Sequence, residues 1–273
     1  MSAAVTRLVR QGLILRVDDA GGSGTPVVFQ HGLCGDSNQT REAFPSDPTF
    51  RRITLECRGH GRSEAGDPKD FSIATFTDDV VSLIENLDVG PVIVGGISMG
   101  AAISLRLAVK RPDLVQGLIL ARPAWVTTST PPNMEPNALV GAMLTQYPPE
   151  EARQIFMWSD IARRLSQVAP DNLKSLEGFF LRQPYEVTAA LLKKISADGP
   201  GVDDSEVRAL TAPTLVIGHE QDFIHPISYA RALTDLIPSA TLKTITSKVV
   251  SRDLYVSDFH DAITHFLRSI WNA

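Results

Sequence analysis

The sequence predicts an α/β fold: a mostly parallel sheet flanked by helices, with a helical insertion. Three observations carry this. Short β-rich runs alternate with longer helical patterns. A serine between two glycines joins a buried run directly to a small-residue helical one. From Pro123 to Ala209 the alternation stops, and two proline-rich stretches, TPPNMEP and YPPEE, lead into helical segments.

In chain order, LILRV (13–17), Val27–Gln30 and Ile53–Cys57 read as strands bounded by Gly, Pro or charged residues. Phe76, Val80, Leu83, Ile84 and Leu87 fall at spacings of three and four, the apolar stripe of a helix packed on a sheet. PVIVGGIS is then a buried strand, MGAAISLRLAVKRP a helix stopped near Pro112, and LVQGLILA a further strand. After the insertion, APTLVIGHEQD resumes the strand pattern and PISYARALTDLIP is helical. ATLKTIT is the last strand, and residues 255–270 form a closing helix with Phe259, Ile263, Phe266 and Ile270 inward. The expected organisation is a core of residues 1–122 and 210–273 with a lid-like insertion over 123–209, and there are no internal repeats.

Composition narrows the function classes. With 273 residues, 43% of them hydrophobic, the chain can bury a substantial core, and a net charge of −5 without a basic run argues against a nucleic-acid surface. The N-terminus lacks the apolar segment of a signal peptide and no run is long enough to span a membrane, so a cytoplasmic protein is expected. Cys34 and Cys57 are too few for a disulfide framework or, on their own, a metal site, and read as small buried hydrophobes. A small-molecule substrate and no cofactor or metal are expected.

The chemistry centres on Gly96-Ile97-Ser98-Met99-Gly100. A serine on a strained strand-to-helix turn needs small residues two before and two after it. Such a turn projects the hydroxyl from the sheet edge and aims the Met99 N–H at a developing oxyanion. With this turn in place, the chain resembles the α/β-hydrolase fold family over nearly all its length outside the insertion. FQHGLCGD is similar to the family's His-Gly loop, which implies Leu33 as a second oxyanion N–H. ECRGHGRSE is similar to its Arg-Gly-His-Gly-x-Ser loop, with Glu56 where aspartate is commoner. LVIGHEQDFIHP resembles the strand that delivers the triad acid, which implies Asp222. His31 and His60 in these loops read as structural. Arg122 and Trp125, at the insertion's entrance, would clamp a substrate carboxylate and wall the pocket, or else anchor the insertion.

The family places its histidine after the last strand, but the loop from Ser247 to Asp253 holds none. Four readings stay open. His260 would substitute from the final helix, pointing to one side of its buried stripe. Lys248 would act as the base if its pKa were lowered, and ranks ahead of His260. His219 or His225 would reach the serine from beside Asp222, although an acid and base so close in sequence have little freedom. Finally, the site would need no base. The expected activity is hydrolysis of a small ester, lactone or carbon–carbon bond next to a carbonyl through Ser98. The alternatives are a ligand-binding pseudo-hydrolase and a lyase or decarboxylase that uses the oxyanion hole alone.

Overall fold

A computed structural model describes residues 6–271. Among them eight strands form one sheet: β1 (Arg7–Arg10), β2 (Leu13–Asp19), β3 (Thr25–Gln30), β4 (Phe50–Leu55), β5 (Val92–Ile97), β6 (Val115–Ala121), β7 (Thr214–Gly218) and β8 (Ala240–Thr244). Their order is β1-β2-β4-β3-β5-β6-β7-β8. The β1–β2 and β2–β4 pairs are antiparallel and the rest are parallel. β1 is absent from the sequence reading because RLVR is too polar and short to register as a strand. It exists as an edge strand, paired with β2 across the turn at Gln11 and Gly12.

The crossovers are helical: α1 (Ser37–Ala43), α2 (Ile73–Leu87) and α3 (Met99–Lys110) early and α10 (Ile227–Leu236) late, and α11 (Arg252–Trp271) closes the fold after β8. Ser72 caps α2, its side chain accepting from Thr75 N, and Asp88 ends that helix in the left-handed region. Alternation along the strands divides the core between the two faces. Val27 and Phe29, Ile93 and Ile97, and Leu215 and Ile217 pack with Phe259, Ile263 and Leu267 of α11. Val28, Val94, Leu118, Leu120 and Val216 pack on the other face with Phe76, Leu83 and Ile103.

Between β6 and β7 the chain forms α4 (Glu135–Gln146), α5 (Pro149–Met157), α6 (Asp160–Val168), α7 (Pro170–Phe179), α8 (Tyr185–Ser196) and α9 (Asp204–Arg208). Trp125 is buried and donates from Nε1 to the Asp198 carbonyl at 2.9 Å, tying the start of this insertion to its far end. It is therefore an anchor, and is not among the residues lining the cavity over Ser98. Among the described residues no helix is long and apolar enough to cross a membrane.

Candidate active site

Register brings the site together. Ile97 pairs with Ala121, and Ala121 with Ile217, so the chains leaving β5, β6 and β7 emerge side by side at one sheet edge. The ladder continues one step further: Ser98 N donates to Ala121 O at 2.9 Å and Arg122 N to Ile217 O at 2.7 Å. Ser98 has φ 58° and ψ −111°, and Arg122 has φ 45°. Two non-glycine residues are thus held in strained backbone at adjacent strand ends. The turn at Ser98 requires its glycines. A Cβ on Gly100 would lie 2.4 Å from Gln30 O, and one on Gly96 would lie 2.6 Å from the Gly100 backbone.

Met99 opens α3, where the first N–H groups have no partner within the helix. The Gly32–Gly35 loop after β3 packs against the serine, since a Cβ added to Gly32 would stand 3.4 Å from Ser98 Cβ. Gln39 holds this loop by accepting from Gly32 N at 2.7 Å, and Gly35 N donates to Gly32 O. Leu33 lies within the turn and lines the cavity beside Ser98. Below it, the His31 ring accepts from Cys57 N through Nε2 at 3.0 Å and bonds Gly32 O through Nδ1. His60 stacks on His31 and meets Phe76 edge-on. Both rings are held neutral by burial, so they brace the loops. Glu56 knits the same region, accepting from Ser37 Oγ at 2.8 Å and Arg62 N at 2.7 Å.

The basic group beside the serine is His225. Its Nε2 is 2.9 Å from Ser98 Oγ, while its Nδ1 is 3.0 Å from both carboxylate oxygens of Asp222. The spacing of three residues is closed as a tight turn, because Asp222 Oδ1 also accepts from His225 N at 3.1 Å. The insertion clamps this turn from outside. Asn172 Oδ1 accepts from Phe223 N and Ile224 N at 2.7 and 3.1 Å, and Asn133 Nδ2 donates to Ile224 O at 2.6 Å. The short separation that argued against His225 is thus what fixes it, since the ring needs no swing.

The other three base candidates do not bond the serine. His260 Nε2 bonds the carbonyl of Glu42 at 2.8 Å, pinning α11 to the end of α1. Lys248 Nζ lies 4.6 Å from the centre of the Tyr255 ring, beside a minor cavity that Arg122 also lines. Burial and then Arg122 lower its pKa, as that reading required, but its ammonium rests on an aromatic face instead of the serine hydroxyl. His219 bonds the Glu220 carbonyl through Nδ1, and its Nε2 is 3.4 Å from Asp222 Oδ2.

Arg122 neither anchors the insertion nor is left free for a substrate: its side-chain partners all lie after β7. Its Nε and Nη2 donate to Asp222 Oδ2 at 2.9 and 2.6 Å, and Nη1 donates to the Tyr255 hydroxyl at 3.2 Å. Asp222 is wholly enclosed. Burial opposes its charge, but Arg122, followed by His225 and His219, holds the carboxyl well below the usual range. For His225 burial lowers the pKa and Arg122 lowers it further, with Asp222 acting in the opposite sense. A neutral ring follows, with Nδ1–H donating to Asp222 and the Nε2 lone pair directed at Ser98. Arg122 Nη2, 3.0 Å from Nδ1, then serves the carboxylate.

A cavity of about 460 Å³ opens over Ser98 and His225, within the usual range for a small-molecule site. Leu33, Cys34, Asn137, Leu176, Phe179 and Arg182 are among its walls. Cys34 faces it, its thiol pushed up to about 12 by burial, whereas Cys57 is packed in the core.

A strained serine at a strand-to-helix turn, a loop packed against it and an acid-bearing loop after β7 define a hydrolase-type scaffold. The chain belongs to the alpha/beta hydrolase fold family, whose model matches residues 25–247. It is 26% identical over 254 residues to the sn-1-specific diacylglycerol lipase ABHD11 of Mus musculus, covering 88% of this chain and 80% of that protein. Its fold is similar to that of an enol-lactonase from Burkholderia xenovorans LB400 (TM-score 0.70, 20% identity, 98% of this chain and 100% of that one). It is also similar to a thermophilic esterase from Thermogutta terrifontis (TM-score 0.72, 24% identity, 98% of both chains).

Proposed function

We propose that the chain is a serine hydrolase of small esters or lactones, or of carbon–carbon bonds next to a carbonyl, with Ser98, His225 and Asp222 as its triad. The observation that carries this is the 2.9 Å approach of His225 Nε2 to Ser98 Oγ. A neutral hydroxyl is a weak nucleophile, and a base within hydrogen-bond reach activates it. His225 takes the Ser98 proton as Oγ attacks the carbonyl, and the Leu33 and Met99 N–H groups receive the developing oxyanion. The imidazolium, stabilised by Asp222, returns that proton to the leaving group. Water then attacks the acyl-serine, giving one proton to His225 and its oxygen to the acid product, and the proton returns to Ser98.

These steps use only side chains, backbone N–H groups and water. A base on Ser98 removes the motive for the pseudo-hydrolase and for the lyase or decarboxylase with an incomplete triad. The lipase relative supports acyl-ester chemistry. Residues 123–209 act as the lid, supplying the cavity's outer wall, and the free thiols Cys34 and Cys57 suit a reducing, cytoplasmic setting. A fluorophosphonate probe tests the reading: it should label Ser98 in the native protein and nothing after Ser98→Ala. Absence of labelling anywhere between roughly pH 6 and 10 would overturn it.

A further inference from the structure

Arg122 cannot also receive a substrate anion, because Asp222 already engages it. The cavity has a second guanidinium, however, on its lid side. Arg182 lines it, between α7 and α8, and is held by neutral acceptors: Nη1 donates to Thr188 Oγ1 at 2.8 Å and Nη2 to the Gly59 carbonyl at 2.6 Å. No aspartate or glutamate is among the residues lining this cavity. Asp222 stands behind Arg122 and balances it, so Arg182 leaves the enclosed space positively charged, and low-dielectric walls strengthen that field. A second group faces the same space. Asn137 is buried in the wall, and its Oδ1 has no hydrogen-bond partner among the described residues. With Oδ1 enclosed, the amide's Nδ2 is the atom left to donate to an anion in the cavity.

We infer that Arg182 is the substrate's anion receptor, selecting esters or lactones whose acyl chain carries a carboxylate remote from the scissile carbonyl, with Asn137 as its neutral partner. A guanidinium already fixed by two hydrogen bonds needs little ordering when the carboxylate arrives. This rests on the hydrolase reading of Ser98, and its test separates the two.

The 4-nitrophenyl monoesters of adipic, pimelic and suberic acids are compared with their methyl-capped, neutral counterparts. The kcat/KM of at least one anionic ester should exceed that of its neutral counterpart by roughly 10- to 100-fold, the range for one charge-assisted hydrogen bond. In Arg182→Gln that ratio should collapse toward one, mainly through KM, and Arg182→Lys should restore part of it. Thermal melting checks that both variants are folded. Turnover of the neutral esters with no anionic preference, or a preference that survives Arg182→Gln, overturns the assignment and leaves the triad standing. A binding arm needs no turnover: adipate should raise the melting temperature of Ser98→Ala, and should fail to do so once Arg182→Gln is added. If Ser98 proves unreactive but this shift appears, the receptor stands and the hydrolase reading falls. If adipate gives no shift, the receptor is wrong.

Discussion

His225 Nε2 lies 2.9 Å from Ser98 Oγ across 127 residues of sequence, while the same ring is bonded to Asp222 only three residues before it. Asp222 and His225, the proposed acid and base, therefore share one loop after β7, and Arg122 from the end of β6 grips Asp222 from the side. This arrangement leads to expectations that a histidine delivered after the last strand would not.

Arg122 acts as a positioning residue whose charge reaches the base. Because it opposes protonation of His225, Arg122→Met should raise the pKa of His225. The base works only when neutral, so the acid limb of the kcat/KM–pH profile should move to higher pH in the variant. In the native protein that limb should lie below the ordinary histidine value of about 6.5. A limb that does not move would show that the Arg122 charge is not felt at the ring.

Asn172 should matter to catalysis through the loop it clamps. Asn172→Ala strands the N–H groups of Phe223 and Ile224, at a cost of about 1–3 kcal/mol in stability. With the His225 turn loosened, kcat should fall more than KM rises. Asn172→Asp keeps an acceptor oxygen at that place and should recover part of kcat. Steady-state kinetics with denaturant unfolding separates this from a purely structural effect.

Gly178 lies in the last turn of α7 on the cavity wall, and a Cβ there would meet nothing within 4 Å. Gly178→Ala should stabilise the fold by up to about 1 kcal/mol, through lower backbone entropy in a helix. Gly178→Leu should fill part of the cavity and raise KM for long acyl chains more than for acetate esters. An equal effect across chain lengths would place Gly178 outside the acyl path.

The paired histidines beneath the Gly32–Gly35 loop should make stability fall in mild acid. His31 and His60 have folded pKa values below the ordinary 6.5, so below that pH the unfolded chain binds protons that the native state does not. Their contribution is complete above pH 6.5 and is lost as pH falls below it, at up to about 1.4 kcal/mol per pH unit for each group. Asp222 adds a further loss of the same sign only below about pH 4. Melting curves from pH 7 to 5 should show the decline, with a shallower slope in His60→Gln.

Much of this was legible in the sequence because it depends on local pattern. The strand runs, the α2 stripe and Phe259, Ile263 and Phe266 of α11 follow from apolar periodicity, and Gly96 and Gly100 announce the turn at Ser98. The approach of His225 to Ser98 was not legible. It depends on a ring closed by Asp222 Oδ1 and His225 N, and on clamps from Asn133 and Asn172, residues about 90 and 50 positions earlier. The available signal was an Asp-x-x-His directly after a buried strand, with Pro226 fixing the entry to α10. Lys248 does follow the last strand, as the family pattern led one to expect, but Tyr255 takes up its ammonium. Likewise, Arg122 sits at the insertion's entrance as expected, and only the contact across 100 residues reveals that it pairs with Asp222.

If His225 is the base for Ser98, kcat/KM for a neutral 4-nitrophenyl ester should single it out among three single variants. His225→Ala should lower the value by at least about 100-fold, the lower bound for losing a general base. Lys248→Ala and His260→Ala should each stay within about threefold of the native protein, because neither contacts the serine or its acid. A His225→Ala protein that keeps native activity, or a Lys248→Ala protein that loses it while remaining folded, would show that a group other than His225 activates Ser98.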